Sequence, residues 1–226
     1  MARESHKKTA REDAEETRRT ILRTAQQLFM DYGYRAVSTR QIADACGLTQ
    51  PALYHHFRDK QELYVEVMKE EINRTRAALE RIARRSDSVS DRLRQVIRYL
   101  LSSTQHDLGM MFHDIQQELN PQAQQTLNEQ FQTGLIAPIA SVFEDGLQQG
   151  LLRDRQHGGV DAVTTTYLFM SMLSQFLTRS QYSRHLAHTR SSFPSSEVEQ
   201  AEMIVQILLY GLATDQERQK RTMPEQ

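Results

Sequence analysis

The 226-residue sequence predicts an all-α protein. Three observations carry that expectation. Glycine is scarce, at 9 residues. Runs of Val, Ile and Thr with period-two alternation are absent. Apolar residues recur at three-to-four spacing along almost the whole chain, which is the period of one helix face. Hydrophobic residues at 38% and charged residues at 25% suit a packed core rather than a disordered chain. About nine helices are expected. They divide into an arm over 1–16, a three-helix N-terminal domain over 17–62 and a larger helical domain over 63–226.

Residues 1–16 are charged and almost free of large apolar side chains, the composition of a flexible arm. The first helix follows, with Ile21, Leu22, Ala25, Leu28 and Phe29 on one stripe and Gly33 as its stop. Ser38 and Gln41 have capping-box spacing and open a short second helix that runs to about Ala45. Gly47 supplies a turn. Thr49 then caps a third helix, with Pro51 in the first turn where its missing N–H costs nothing, and this helix ends near Phe57. Asp59 and Glu62 open a fourth, whose row Tyr64, Met68, Ile72, Leu79 and Ile82 carries it to about Arg85.

After the polar break at 86–90, Leu93, Val96, Ile97, Leu100 and Leu101 mark a fifth helix, and a sixth spans about Leu108 to Leu119. Asn120 before Pro121 starts a long seventh, about 122–149, which Pro138 should kink and Gly150 close. Asp161 caps an eighth, rich in Leu168, Phe169, Met170, Met172, Leu173, Phe176 and Leu177. A polar loop over about 182–194 leads to Ser196 and Glu199, again at capping-box spacing. The ninth helix carries Ile204, Ile207, Leu208 and Leu212, with Gly211 inside it.

Cys46 is the sole cysteine, so an intrachain disulfide and a multi-thiolate metal site are both excluded within one subunit. No apolar stretch of a signal peptide follows the N-terminus, and nowhere do about 18 apolar residues run together. A cytoplasmic location without membrane attachment is expected. Net charge is −1. Residues 1–65 hold 11 Lys+Arg against 9 Asp+Glu and the remainder 17 against 20, an asymmetry too weak to imply nucleic-acid binding by itself.

Two short helices across a tight glycine turn are what a helix-turn-helix requires. The first braces the second so that its leading residues project into a major groove. Ala43 is small where the helices must approach, Gly47 allows the turn, and Ile42, Leu48 and Leu53 can form the wedge between them. Arg40, Thr49, Gln50 and His55 offer donors or acceptors for base edges, and glutamine suits bidentate recognition of adenine. A tight helical hairpin inside a core, with Tyr54 and Phe57 as packing residues, is the alternative. Packing alone would not require Arg40, Gln50, His55 and Lys60 together.

From Thr39 to Leu63, the residues Ile42, Ala43, Gly47, Leu53, Tyr54, His55, His56, Phe57, Lys60, Glu62 and Leu63 resemble the DNA-binding signature of the TetR/AcrR family of transcriptional regulators. Cys46 stands where alanine is usual. The resemblance covers about residues 17–66; elsewhere it rests on length, helix order and the apolar-plus-glycine stretch 208–213. It implies that Thr39, Tyr54 and Lys60 hold backbone phosphates, contacts that set register and affinity without reading sequence. Ala52 and Leu53 complete the expected DNA-binding set, and His56 is left without a firm role. Arg3, Lys7, Lys8 and Arg11 read either as a minor-groove arm or as a solvated tail.

The same resemblance implies that the larger domain senses a ligand and dimerises. Gly211 inside the ninth helix would cost about 1 kcal/mol relative to alanine unless a close helix approach uses it. A symmetric four-helix interface of the eighth and ninth helices in a homodimer is the expected use; fraying of the helix end is the alternative. Met110, Met111 and Phe112, with Phe131, Phe169, Met170, Met172 and Phe176, could line an adaptable apolar cavity. Tyr99, His113, Gln117 and Tyr167 are its candidate polar anchors. The expected protein is a repressor released from a palindromic double-stranded DNA operator by a small, largely apolar effector, with no cofactor. A metal-responsive regulator of the same fold is the alternative, on His106, Asp107, His113 and Asp114 and on His185 and His188, whose spacing does not settle it. An enzyme finds no support, since no nucleophile–base pair or phosphate loop is present.

Overall fold

The computed structural model describes residues 2–103, 108–182 and 196–211, with side chains outside the description at 2–11, 108–112 and 175–182. The expected polar loop at 182–194 and the ninth helix beyond Gly211, Leu212 included, lie largely outside the described residues. The elements are α1 (Ala2–Ala36), α2 (Thr39–Ala45), α3 (Gln50–His56), α4 (Lys60–Ala83), α5 (Val89–Ser103), α6 (Leu108–Glu118), α7 (Pro121–Phe131), a π-helical turn (Gln132–Ile136), α8 (Ala137–Gln148), a 3-10 turn (Arg155–His157), α9 (Ala162–Tyr182) and α10 (Glu197–Tyr210). Among the described residues there is no strand. α7, the π turn and α8 follow one another without a break over 121–148 as the expected seventh helix, so α9 and α10 are the eighth and ninth helices of the sequence reading.

Local chemistry sets most helix starts. Ser38, Thr49, Asn120 and Ser196 each accept the backbone N–H three residues on, and Ser38 and Ser196 form complete capping boxes with Gln41 and Glu199. At α4, Asp59 accepts the Glu62 N–H, but Glu62 returns to the N–H of Arg58 rather than that of Asp59. Substituting Ser38→Ala should lower the stability of the N-terminal unit by about 1 kcal/mol, read as a fall in its urea midpoint. An unchanged midpoint would show the cap to be redundant.

Two expectations about helix limits are corrected, and a third gains detail. α1 begins at Ala2 instead of near residue 17, because neither proline nor glycine interrupts the chain before Gly33 and its Lys, Arg and Glu residues favour helix. The side chains at 12–16 are nevertheless exposed and add nothing to the core. Pro138 lies, as expected, inside one long helix. Its missing N–H and its clash with the carbonyl four residues back are absorbed by the wider π turn at 132–136 inside one unbroken helical stretch. Gly211 is not inside α10 but ends it at φ 70°, its N–H donating to the Ile207 carbonyl at 2.8 Å.

The chain divides into two compact units, residues 1–77 with 106–135 and residues 78–105 with 136–226. This division does not follow the expected boundary at 62/63, because α6 packs on α1 and the α7 cap residue Asn120 donates its N–H to the Gln61 side chain. In the first unit, Ile21, Leu22, Ala25 and Phe29 of α1 are buried with Ile42, Ala43, Leu53, Phe57, Leu63, Tyr64 and Met68. The ring of Tyr64 meets Phe29 and Tyr34 edge-on, at 5.1 and 4.9 Å between centroids. Gly33 breaks α1 at φ 82°, and the Tyr34 N–H that follows donates to the buried carboxylate of Asp114 on α6 at 2.7 Å.

In the second unit, α5 packs on α8 and α10, and α8 on α9. Leu93, Val96, Ile97 and Leu100 are buried with Ile139, Val142, Phe143, Phe169, Leu173, Ile204 and Val205. A buried cation, Arg92, donates from Nη1 to the Ala83 carbonyl at the end of α4 and to Asp145 on α8, at 2.8 and 2.6 Å. Its Nε is buried with no hydrogen-bond partner among the described residues.

Candidate nucleic-acid interface

The helix-turn-helix is assembled from α2 and α3. Gly47 takes φ 68°, a left-handed conformation that a side chain would oppose, and this reverses the chain between the two helices. Behind the turn, Ile42, Ala43 and Leu53 are buried to 0% exposure and Phe57 to 1%. With its inner face so committed, α3 leaves Thr49, Tyr54 and His55 exposed and Gln50, Ala52 and His56 half-buried, and Arg40 of α2 is exposed beside Asp44 at 4.0 Å. That arrangement is what major-groove reading requires of a short helix. Leu53 must be removed from the DNA-binding set. The wedge claims its whole side chain, so it offers a duplex no side-chain atom.

Thr39, Gln50 and Tyr54 are brought together across the turn. The Gln50 Nε2 donates to Thr39 Oγ1 at 3.0 Å and lies 3.5 Å from the Tyr54 hydroxyl, and the two hydroxyls share a hydrogen bond at 3.1 Å. Thr39 is therefore nearly buried, not free on the surface. Sequence spacing could not reveal this link, because the partners lie 11 and 15 residues apart.

Lys60, at the start of α4, folds over the ring of Tyr34 with Nζ 4.1 Å from its centroid. Burial pushes the Lys60 ammonium below the usual lysine range, against the opposing pull of Glu118 and Asp114. Burial likewise raises the Tyr34 hydroxyl, helped by the nearby charges of Asp59, Glu118 and Asp114. Behind α3, Arg18 stacks over Phe57 at 4.8 Å and pairs with Glu66 at 3.1 Å. Arg58, which the sequence reading passed over, stands exposed in the turn after α3, 3.8 Å from Glu62. Its signal was a lone cation between the recognition helix and Lys60.

The ligand-binding candidates are distributed over both units. In the first, His113 and Gln117 are exposed on α6 and Phe131 is buried at the end of α7. In the second, Tyr99 and Met170 are half-buried and Tyr167 is exposed. The side chains of Met110, Met111, Phe112 and Phe176 lie outside the described residues, as do those of Arg3, Lys7, Lys8 and Arg11. Of the metal alternative, His106, Asp107, His185 and His188 lie outside the described residues, and Asp114 is occupied by the Tyr34 N–H. Among the described residues no group of three His, Cys, Asp or Glu side chains is placed to hold a metal ion, and no helix is long and apolar enough to cross a membrane.

Residues 21–67 match the model of the bacterial regulatory proteins, tetR family. The HTH-type transcriptional activator FasR of Mycolicibacterium smegmatis is 31% identical over 93 residues, 41% of this chain and 42% of that protein. The HTH-type transcriptional regulator AcrR of Shigella flexneri is 36% identical over 95 residues, 42% of this chain and 44% of that one. The chain thus spans well under half the length of these relatives. The transcriptional regulator FadR of Bacillus subtilis, solved in complex with stearoyl-CoA, has a similar fold, with a TM-score of 0.69 over 86% of this chain and 98% of that one at 17% identity. In the helix-turn-helix that α2 and α3 build, this chain is similar to the tetR family of bacterial regulatory proteins over residues 21–67.

Proposed function

We propose that the chain is a cytoplasmic transcriptional regulator, not an enzyme, which binds a palindromic operator as a homodimer. The observation that carries this reading is the seven-residue α3, anchored by Leu53 inside while Thr49, Gln50, Tyr54 and His55 remain at the surface. Residues 17–62 form the DNA-binding domain in this reading and 63–226 the ligand-binding and dimerisation domain. Arg40, Thr49, Gln50 and His55 address base edges, Thr39, Tyr54, Lys60 and Arg58 the backbone, and Ala52 the groove wall.

The proposed dimer uses α9 and α10. Val163, Tyr167 and Leu168 on α9 and Val198 and Tyr210 on α10 are large apolar residues left exposed in the single chain, as a surface awaiting a second copy would be. Repression is relieved when a small, largely apolar effector binds the ligand-binding and dimerisation domain. The stearoyl-CoA held by FadR makes long-chain acyl thioesters the first compounds to titrate.

Gel shifts on a duplex recovered from a random-sequence pool test the assignment. Lys60→Ala should weaken binding on every sequence and flatten the salt dependence by about one phosphate contact, whereas Gln50→Ala should mainly relax base preference. Equal, sequence-blind losses from both would contradict these roles.

A further inference from the structure

We infer that Thr39 and Tyr54 are positioning residues for base reading, acting through Gln50, in addition to any contact they make with phosphate. The inference rests on the DNA-binding reading above and goes beyond it, because it assigns a specificity role to two hydroxyls whose expected contacts carry no sequence information.

The geometry is as follows. Gln50 and Tyr54 lie one turn apart on α3, and Thr39 is the first residue of α2. The Thr39 hydroxyl accepts from Gln50 Nε2 at 3.0 Å and bonds the Tyr54 hydroxyl at 3.1 Å, so the glutamine amide is tied to a fixed point on the bracing helix. That point is rigid: Thr39 is only 7% exposed and follows directly on the capping box of Ser38 and Gln41. A free glutamine side chain samples many rotamers and loses that freedom when it docks on a base. Here the amide is ordered before DNA arrives, which is preorganisation.

The amide has two N–H groups, and one satisfies Thr39. The other N–H meets the Tyr54 hydroxyl only at 3.5 Å, a contact weak enough to turn to a base instead, so that N–H and the carbonyl oxygen are the donor and acceptor that adenine matches with N7 and its N6 amino group. Rotating the amide to another orientation would break the bond to the nearly buried threonine. The hydroxyl pair therefore selects which edge of Gln50 meets the groove, and so which base it prefers.

In vitro selection from a random-sequence duplex pool, with the full chain, tests this. The wild type should enrich a two-fold symmetric motif with one adenine per half-site whose preference Gln50→Ala removes. Tyr54→Phe and Thr39→Val, which lose one oxygen each and keep their shape, should reduce preference at that same adenine roughly tenfold, while Thr39→Ser retains it. Preference is a ratio among sequences bound by one sample, so partial unfolding of a variant does not imitate the effect.

If Tyr54→Phe and Thr39→Val keep the wild-type preferences and only lose affinity, the hydroxyls serve phosphates alone and the inference fails. It fails equally if Tyr54→Phe enriches nothing, or if Gln50→Ala keeps the motif. If the wild type itself enriches nothing, the DNA-binding reading falls, and this inference with it.

Discussion

Leu53→Ala is expected to destabilise the N-terminal unit by about 3 kcal/mol and to abolish operator binding. The side chain is buried to 0% exposure against Ile42 and Ala43, equally buried, and the deletion leaves a cavity between two helices of seven residues each. Helices of that length do not hold themselves in water. The surface that α3 presents therefore exists only as long as its inner face is packed. Leu53→Met, which keeps the volume, should cost under about 1.5 kcal/mol and retain binding. Thermal melts and gel shifts on the same preparations measure both effects. A Leu53→Ala protein that melts and binds as the wild type does would remove the wedge from the explanation.

The second large effect is an asymmetry in the other unit. Asp145→Ala should cost about 3 kcal/mol, and Arg92→Met distinctly less. The Arg92 side chain is 5% exposed and Asp145 is 43% exposed, so the two partners are not equivalent. Removing the carboxylate strands a buried guanidinium whose Nε has no partner among the described residues, and leaves it, among those residues, the Ala83 carbonyl. Removing the cation leaves an aspartate that water already reaches, and methionine fills most of the vacated space. Urea unfolding of the two single variants and the double variant reads this directly. Equal losses from the single variants would mean that the pair's attraction, rather than the desolvation of Arg92, dominates.

The recognition segment was legible in the sequence because its determinants are short-range. Ser38 with Gln41, Thr49 with Pro51, and Gly47 between them act over three or four residues, and each occupies in the structure the place its chemistry assigns. Asn120 and Ser196 are as legible, for the same reason. Errors arose where a local rule met a distant partner. Leu53 reads from the sequence both as part of the wedge and as a DNA contact, and the packing of α3 on α2 leaves it the wedge alone. Gly211 reads as helical from the apolar residues on both sides, yet the backbone turns there.

The sequence by itself determined the helical class, most of the helix starts and the helix-turn-helix segment. A helix face, a cap and a tight turn are each fixed by residues within one or two turns of one another, so their free energies are written locally. Only the tertiary structure decided that Asp114 accepts the Tyr34 N–H from 80 residues away, that Arg92 reaches Asp145 across 53, and that Thr39 and Tyr54 hold Gln50. Each of these groups has many possible partners along the chain. Burial, which makes an unpaired polar group costly, selects one of them, and burial exists only after the helices have packed.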